Sequence, residues 1–449
     1  MIQTICTPYT EYEEVIKDLE EGFATLEFKP NVLLVFLTSD VWDIHERILE
    51  FLKRKFPDAK MAGCFVEGYM TENAVWTRGV VVLAIESDGV DVFWAKGGTT
   101  YTTFSELSRM IGSGWSSILL MYPTFYFTSR FDMLRAYLTN RYYSLKYGRA
   151  KTKEDKERVL REYSRTVESK YVYPINKVLR LMPEPVIGMN LMPMEAKCET
   201  PRIFANYESI GRGAVAVCFK GRVNTLFHDI FPERGKSFEE TLEILREYFP
   251  NTEIVRVVKG GVSIGEVNGV SAVKFLESRV RALRELSKDE AIDRLEGGKF
   301  QTYTPYGLAF VSETTFGSSA LGLLPYPLQI YPSLFELDNF YDDAVFFGEL
   351  FRGGIKSYEE IFLLKSFEDG DMFDLFLIDY NVIPMFGKDV HRIREFARSY
   401  CTRFLGLISS IPSAKVSHSH RRYMSENEPD IFFNVTGTSA MLEIKSLKG

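Results

Sequence analysis

Residues 61–68 (MAGCFVEG) are the first place where residue type and spacing could do chemistry. Cys64 follows Gly63 at the end of an apolar run, where a turn could present a thiolate. A thiolate nucleophile needs a base or cation beside it, and the neighbouring sequence supplies only Glu67. A buried strand cysteine is the competing reading. Glu67, followed by Gly68, could set a carboxylate where the backbone approaches a ligand closely. His228 stands between apolar Phe227 and Ile230 and is the histidine best placed to hold haem or a metal. His418 and His420 alternate, so on a strand they would share one face, but no third ligand follows in range. Arg421 and Arg422 suggest an anion patch there instead. Residues 259–266 (KGGVSIGE) are glycine-rich yet lack the GK[ST] ending of a phosphate cradle. Signatures of serine hydrolases, zinc peptidases and protein kinases are absent. No catalytic constellation emerges, and the sequence points away from an enzyme.

The bulk composition narrows the classes further. The 449 residues are 45% hydrophobic and 26% charged, with a net charge of −7. That is a globular balance, without the basic stripe of a nucleic-acid binder. The longest apolar runs have strand length and fall short of the roughly 20 residues of a membrane helix. No signal peptide is visible at the amino terminus. Five scattered cysteines without CxxC spacing indicate neither a disulfide framework nor a zinc site, so a cytoplasmic setting is expected. Scarce glutamine, with abundant Lys, Arg and Glu, is compatible with a thermophilic source.

The elements that must position these residues follow one recurring order. Residues 32–37 (VLLVFL) read as a strand buried on both faces. Asp40 is placed to cap the next helix, with Asp43 in its first turn, and Ile44, Ile48, Phe51 and Leu52 recur at helical spacing. A glycine-marked strand at 61–68 and a closing strand at 79–85 complete the unit. The second copy has a strand at 118–123 (ILLMYP) and a helix capped by Ser129 with Phe131, Leu134, Leu138 and Tyr142 at helical spacing. A glycine-marked strand at 185–192 and a closing strand at 213–219 end it. The third spans 373–445, with a helix capped by Asp389. Gly63, Gly188 and Gly406 occupy equivalent places, as expected of an internal repeat. The expected fold is α/β, mixed α+β, in two lobes with three strand–helix–strand–strand units and sheets covered by helices.

Between the units, residues 151–170 are dense in charge and read as a solvated helix or one side of a helical hairpin. Ser237 opens a capping box, residues 254–270 read as a hairpin, and 272–286 as an amphipathic helix. The expected division is an extension over 1–30, one domain over 31–268 carrying the charged insert, and a second over 269–449.

Residues 31–85 resemble the start of FIST domains, in which an LVFxS strand, a helix and a GCSxxGE-like turn precede a GVVVLAL strand. The resemblance continues through 186–190 (VIGMN), 204–221, 262–280 and 345–354 (VFFGELFRGG), in the family's order. The turn after Cys64 lacks the usual small hydroxyl residue, and the family's CxGR strand end and late GE turn are missing. The resemblance implies a sensory protein that binds a small ligand such as an amino acid or other metabolite. With no output domain in this sequence, it would act on a partner protein in trans. A haem-binding nitric-oxide sensor, with His228 as ligand, is the alternative the family offers, and a ligand-free interaction scaffold is another. No cofactor is otherwise expected, nor nucleic acid, nor membrane insertion. The expected ligand residues are Gly63, Cys64, Glu67, Gly68, Gly188 and Asn190, beside the aromatic segment 303–331.

Overall fold

A computed structural model describes residues 1–126, 129–192, 202–228, 238–240, 243, 246, 252–279, 306–312, 316–320, 330–348, 355–365, 372–380, 382–383, 389–409, 411–416, 430–433 and 437–447. The chain is mixed α/β, and three of its sheets share one strand order. The first runs β1 (Ile2–Thr7), β6 (Val80–Ile85), β2 (Val32–Leu37), β3 (Lys60–Phe65), β10 (Ile203–Ala205) and β11 (Glu208–Ile210). The second runs β7 (Val90–Lys96), β12 (Gly213–Phe219), β8 (Ser117–Pro123), β9 (Val186–Leu191), β23 (Ile411–Val416) and β24 (Asp430–Phe433). The third runs β13 (Gly221–His228), β25 (Ser439–Leu447), β21 (Phe373–Asp379), β22 (Phe404–Ser409), β4 (Gly68–Met70) and β5 (Val75–Trp76).

In each sheet the two inner strands of one unit are parallel: β2 with β3, β8 with β9, β21 with β22. A parallel pair needs a covered crossover. Helix α2 (His45–Lys55) makes the first, while the helix over Val390–Tyr400 makes the third. The last two strands of every sheet are a hairpin supplied by another unit. β10 and β11 follow β9 in the chain but extend the first sheet. β23 and β24 follow β22 but extend the second, and β4 and β5 follow β3 but extend the third. The exchange closes into a ring.

One face of each of these sheets turns inward onto a shared apolar core that includes Leu34, Cys64, Leu119, Met189, Leu375 and Leu407. Strands apolar on both faces, such as the fully buried VLLVFL of β2, are what such an interior requires. The outer face of the first sheet is covered by α1 (Tyr12–Ala24) and α2. Residues 1–30 are thus built into this unit, because β1 pairs along β6 and Val15, Leu19 and Phe23 of α1 are buried.

Gly63, Gly188 and Gly406 pair with Val35, Leu120 and Phe376, each the fourth residue of its parallel neighbour. A Cβ at Gly63 would lie 1.8 Å from the Val35 carbonyl oxygen, and one at Gly406 2.3 Å from the Phe376 ring. Two caps differ from expectation. Asp40 lies in a 3-10 turn over Ser39–Ile44, and α2 starts only at His45, so the carboxylate cannot reach its amides. Asp389 is itself in helical conformation (φ −68°) and makes no side-chain capping hydrogen bond. Ser129 does cap its helix, accepting from the Asp132 amide at 3.2 Å.

The outer face of the second sheet is covered by α3 (Thr100–Ile111), by α5 (Lys153–Glu168) with α6 (Ile175–Leu181), and by a fourth sheet. That sheet runs β16 (Val270–Ser271), β15 (Ser263–Val267), β14 (Thr252–Gly260), β20 (Asp343–Gly348), β17 (Tyr306–Val311) and β18 (Phe316–Ala320), with β19 (Tyr331–Pro332) beside β15. β15 and β16 join through Asn268 and Gly269, at φ 51° and 77°, as a tight hairpin turn wants. Hydrogen bonding therefore runs across the 268/269 position. The helix starting at Ala272 is described through Arg279. The Ser237 capping box, His418, His420 and most of 303–331 lie outside the described residues.

The charged segment 151–170 forms α5, which pairs with α4 (Arg130–Arg149) as a helical hairpin. Its thin apolar content (Val159, Leu160, Tyr163 and Val167) is buried against the fourth sheet. Ser164 Oγ donates to the Gly260 carbonyl at 2.8 Å and accepts from the Val262 amide at 3.0 Å. It also lies 2.7 Å from Ser263 Oγ. Lys156–Glu266 and Arg161–Asp338 bridges flank it. Ser164→Ala should cost about 1–3 kcal/mol, because it strands buried polar groups. Urea unfolding measures the cost, and faster amide exchange at Val262 would locate it.

On the outer face of the third sheet, Lys365 Nζ lies 2.6 Å from Asp374, whose side chain is fully buried, and donates to the Tyr400 carbonyl at 2.8 Å. Burial is the largest influence on the Lys365 ammonium and opposes it, but the Asp374 bond together with the surrounding Cys401, Asp374 and Glu443 groups outweighs it and the lysine pKa rises. Burial also pushes the Asp374 carboxyl up, with Lys365 opposing only in part.

Candidate functional site

The carboxyl ends of β8 and β9 gather buried polar side chains. Strand alternation puts Ile118, Leu120 and Tyr122 on the outer face, and Leu119 and Met121 inside. Gly188 and Asn190 fall on the same outer face, since Ile187 and Met189 point inward. Tyr122 pairs with Asn190 in register, so the two side chains stand together. Thr124 follows on the same alternation, its amide donating to the Leu191 carbonyl at 2.8 Å.

All three side chains are fully buried: Tyr122, Thr124 and Asn190 have no exposed surface. Asn190 Nδ2 donates to the Ile411 carbonyl at 2.8 Å and to Ser413 Oγ at 2.7 Å. Its Oδ1 has no hydrogen-bond partner among the described residues, and neither do the Tyr122 hydroxyl and Thr124 Oγ1. Buried polar atoms are normally satisfied, so three orphans at one strand end call for an explanation. Gly188 permits the arrangement, because a Cβ there would meet Ser413 Oγ at 2.5 Å.

Aromatic rings wall the place. Tyr122 packs edge-on to Phe104 at 5.2 Å and to Tyr173 at 6.4 Å, and Tyr126 lies 4.5 Å from Tyr173. The Arg212 guanidinium sits over the Tyr126 ring at 4.6 Å and donates to the Gly98 and Ser169 carbonyls. Burial pushes the Tyr122 and Tyr126 hydroxyls far above their ordinary range, so both stay neutral donors. Such a set can hydrogen-bond a small molecule, and it contains no activated nucleophile.

The expected ligand residues separate onto three sheets. Gly63 and Cys64 lie in β3, where Cys64 faces the interior core; burial raises its thiol far above the usual range, and no cation lowers it. Glu67 marks the crossing to the third sheet, its amide donating to the Ile408 carbonyl at 2.9 Å, and Gly68 opens β4. Gly188 and Asn190 share the outer face of β9, with Asn190 toward its carboxyl end. Tyr122 and Thr124 escaped the sequence reading, although the Tyr-Pro-Thr that ends the ILLM run was a usable signal. His228 ends β13 with Nε2 3.0 Å from Glu360 Oε2, and this contact holds the Glu360 carboxyl below its ordinary value. Among the described residues, no group of three or more His, Cys, Asp or Glu could hold a metal. Nor is any described helix long and apolar enough to cross a membrane.

Three sheets of one strand order that exchange hairpins, with a fourth sheet added to the second, define the class of fold. The FIST N domain matches residues 31–140, from β2 into α4. An AF0772-like protein C-terminal domain matches 239–352, which contains β14 through β20. An uncharacterized protein of Archaeoglobus fulgidus is 31% identical over 393 residues, covering 84% of this chain and 99% of its own length. The chain belongs to the FIST-domain family. FIST domains are generally small-ligand sensory domains in signal transduction.

Proposed function

We propose that the chain is a sensory protein that binds a free amino acid at the carboxyl ends of β8 and β9, and signals to a partner protein in trans. The observation that carries this reading is the trio of buried, unpartnered atoms at Tyr122, Thr124 and Asn190. Ligands of parallel sheets sit at the carboxyl ends of strands, and pockets are apolar with a few convergent polar groups. Asn190 Oδ1 is an acceptor suited to an α-ammonium, and the two hydroxyls can donate to a carboxylate. A zwitterion has no net charge, which suits a site without a charged side chain among these three.

Thermal shift of the purified protein against the twenty common amino acids tests the reading. At least one should raise the melting temperature, as binding to the native state requires. Tyr122→Phe should weaken that amino acid about tenfold, near 1.4 kcal/mol, while leaving unliganded stability unchanged or higher, since it removes a buried unpartnered hydroxyl. Asn190→Leu should weaken it by at least as much. If no amino acid shifts the transition, or Tyr122→Phe binds as tightly as the native chain, the assignment is wrong.

A further inference from the structure

Helix α4 carries an apolar stripe that is left largely exposed. Phe131, Leu134, Leu138, Tyr142 and Leu145 recur at spacings of 3, 4, 4 and 3, one face of a helix, and each is between 50% and 70% exposed. The opposite face is the one that docks. Asn140 Nδ2 donates to the Tyr163 hydroxyl at 3.0 Å and to the Ile330 carbonyl at 2.8 Å, and Tyr147 joins the core. The sequence marks the apolar stripe for burial, whereas the structure buries the polar-aromatic one. Contiguous exposed apolar surface of this kind marks an interaction site.

Charge selects the occupant. The helix carries Arg130, Arg135, Arg141, Lys146 and Arg149 against Asp132 alone. Lys146 is neutralised by Glu162, but no carboxylate among the described residues pairs with Arg141 or Arg149. Arg135 and Arg141 are exposed and border the stripe. The stripe's spacing is symmetric about Leu138, so a second copy laid antiparallel would set Phe131 against Leu145 and Leu134 against Tyr142. It would also set Arg135 against Arg141 twice, and like charges facing across an interface are unfavourable. An acidic helix with leucines at i, i+3, i+7, i+11 and i+14 matches the apolar spacing and neutralises the arginines.

We propose that the exposed α4 face is the docking surface for an acidic amphipathic helix of a partner protein. The surface stands on exposure and charge alone and does not depend on which ligand the strand ends take. The test uses the full chain and a fluorescently labelled 20-residue peptide with leucines at those positions and glutamates elsewhere; a second peptide replaces the glutamates with lysines. The glutamate peptide should bind saturably and the lysine peptide should not. Leu138→Ser and Arg141→Glu should each weaken binding about tenfold, and added salt should weaken it too. Unchanged circular dichroism will show that these exposed substitutions leave the fold intact. Equal binding of both peptides, or of neither, overturns the proposal. So does Leu138-dependent uptake onto phosphatidylglycerol vesicles without peptide binding, which would make the face a membrane contact. A dimer in sedimentation that Leu138→Ser dissolves would overturn it as well, in favour of a second copy.

Discussion

Lys365→Met should lower the unfolding free energy by about 3–5 kcal/mol, the loss typical when one partner of a buried ion pair is removed. Asp374 has no exposed surface, so nothing replaces the ammonium 2.6 Å away, and the Tyr400 carbonyl loses its donor in the same step. The pair ties the helical segment ending near Leu364 to the outer face of the third sheet. Adding Asp374→Leu to Lys365→Met should return most of the loss, because well-packed apolar groups replace buried ion pairs with little penalty. Urea midpoints of the two single variants and the double variant measure the coupling. A single variant within 1 kcal/mol of the native chain, on the scale of a surface pair, would mean that water reaches Asp374.

Gly63→Ala should be the most damaging small substitution in the first unit, with little folded protein recovered. Its Cβ would stand 1.8 Å from the Val35 oxygen and 3.0 Å from the Val35 nitrogen, so the clash is with the backbone of the central strand. A side chain can rotate away; two hydrogen-bonded strands in the middle of a sheet cannot. At Gly188 the obstacle is Ser413 Oγ, a single rotatable hydroxyl, so Gly188→Ala should remain folded. Soluble yield and thermal midpoints of the two alanine variants check the ordering. Equal stability of the two would show that β2 and β3 can separate at Val35 without loss.

Much of the fold was legible in the residues. Continuous apolar runs gave β2, β6, β8, β12 and β21, since strands covered on both faces leave no alternation to misread. Ser129 revealed its helix start. The destination of the short hairpins was not legible: nothing in GYM or VW says that β4, carrying β5 behind it, pairs with a strand more than 300 residues later. Part of the candidate site was legible, because Asn190 lies near a conspicuous glycine. Tyr122 reads as one more aromatic until its hydroxyl is seen to lack a partner. The direction of α4 was hidden for a plainer reason. Periodicity identifies an apolar face and is silent about whether this chain or another molecule covers it.

The ring of exchanged hairpins also sets a timetable for biosynthesis. The β4–β5 hairpin emerges early, yet the partner of β4, β22, is made only with residues 404–409, and until then β4 offers an open edge to any passing strand. The first sheet waits likewise for β10, and the second for β23. The first two sheets cannot finish before the next unit has been translated, and the third, whose pieces were made furthest apart, is the last to close. Such distant pairings fold slowly. A ribosome that stalls before residue 404 leaves a nascent chain with its earliest hairpin still unmatched, a natural point for chaperones to intervene.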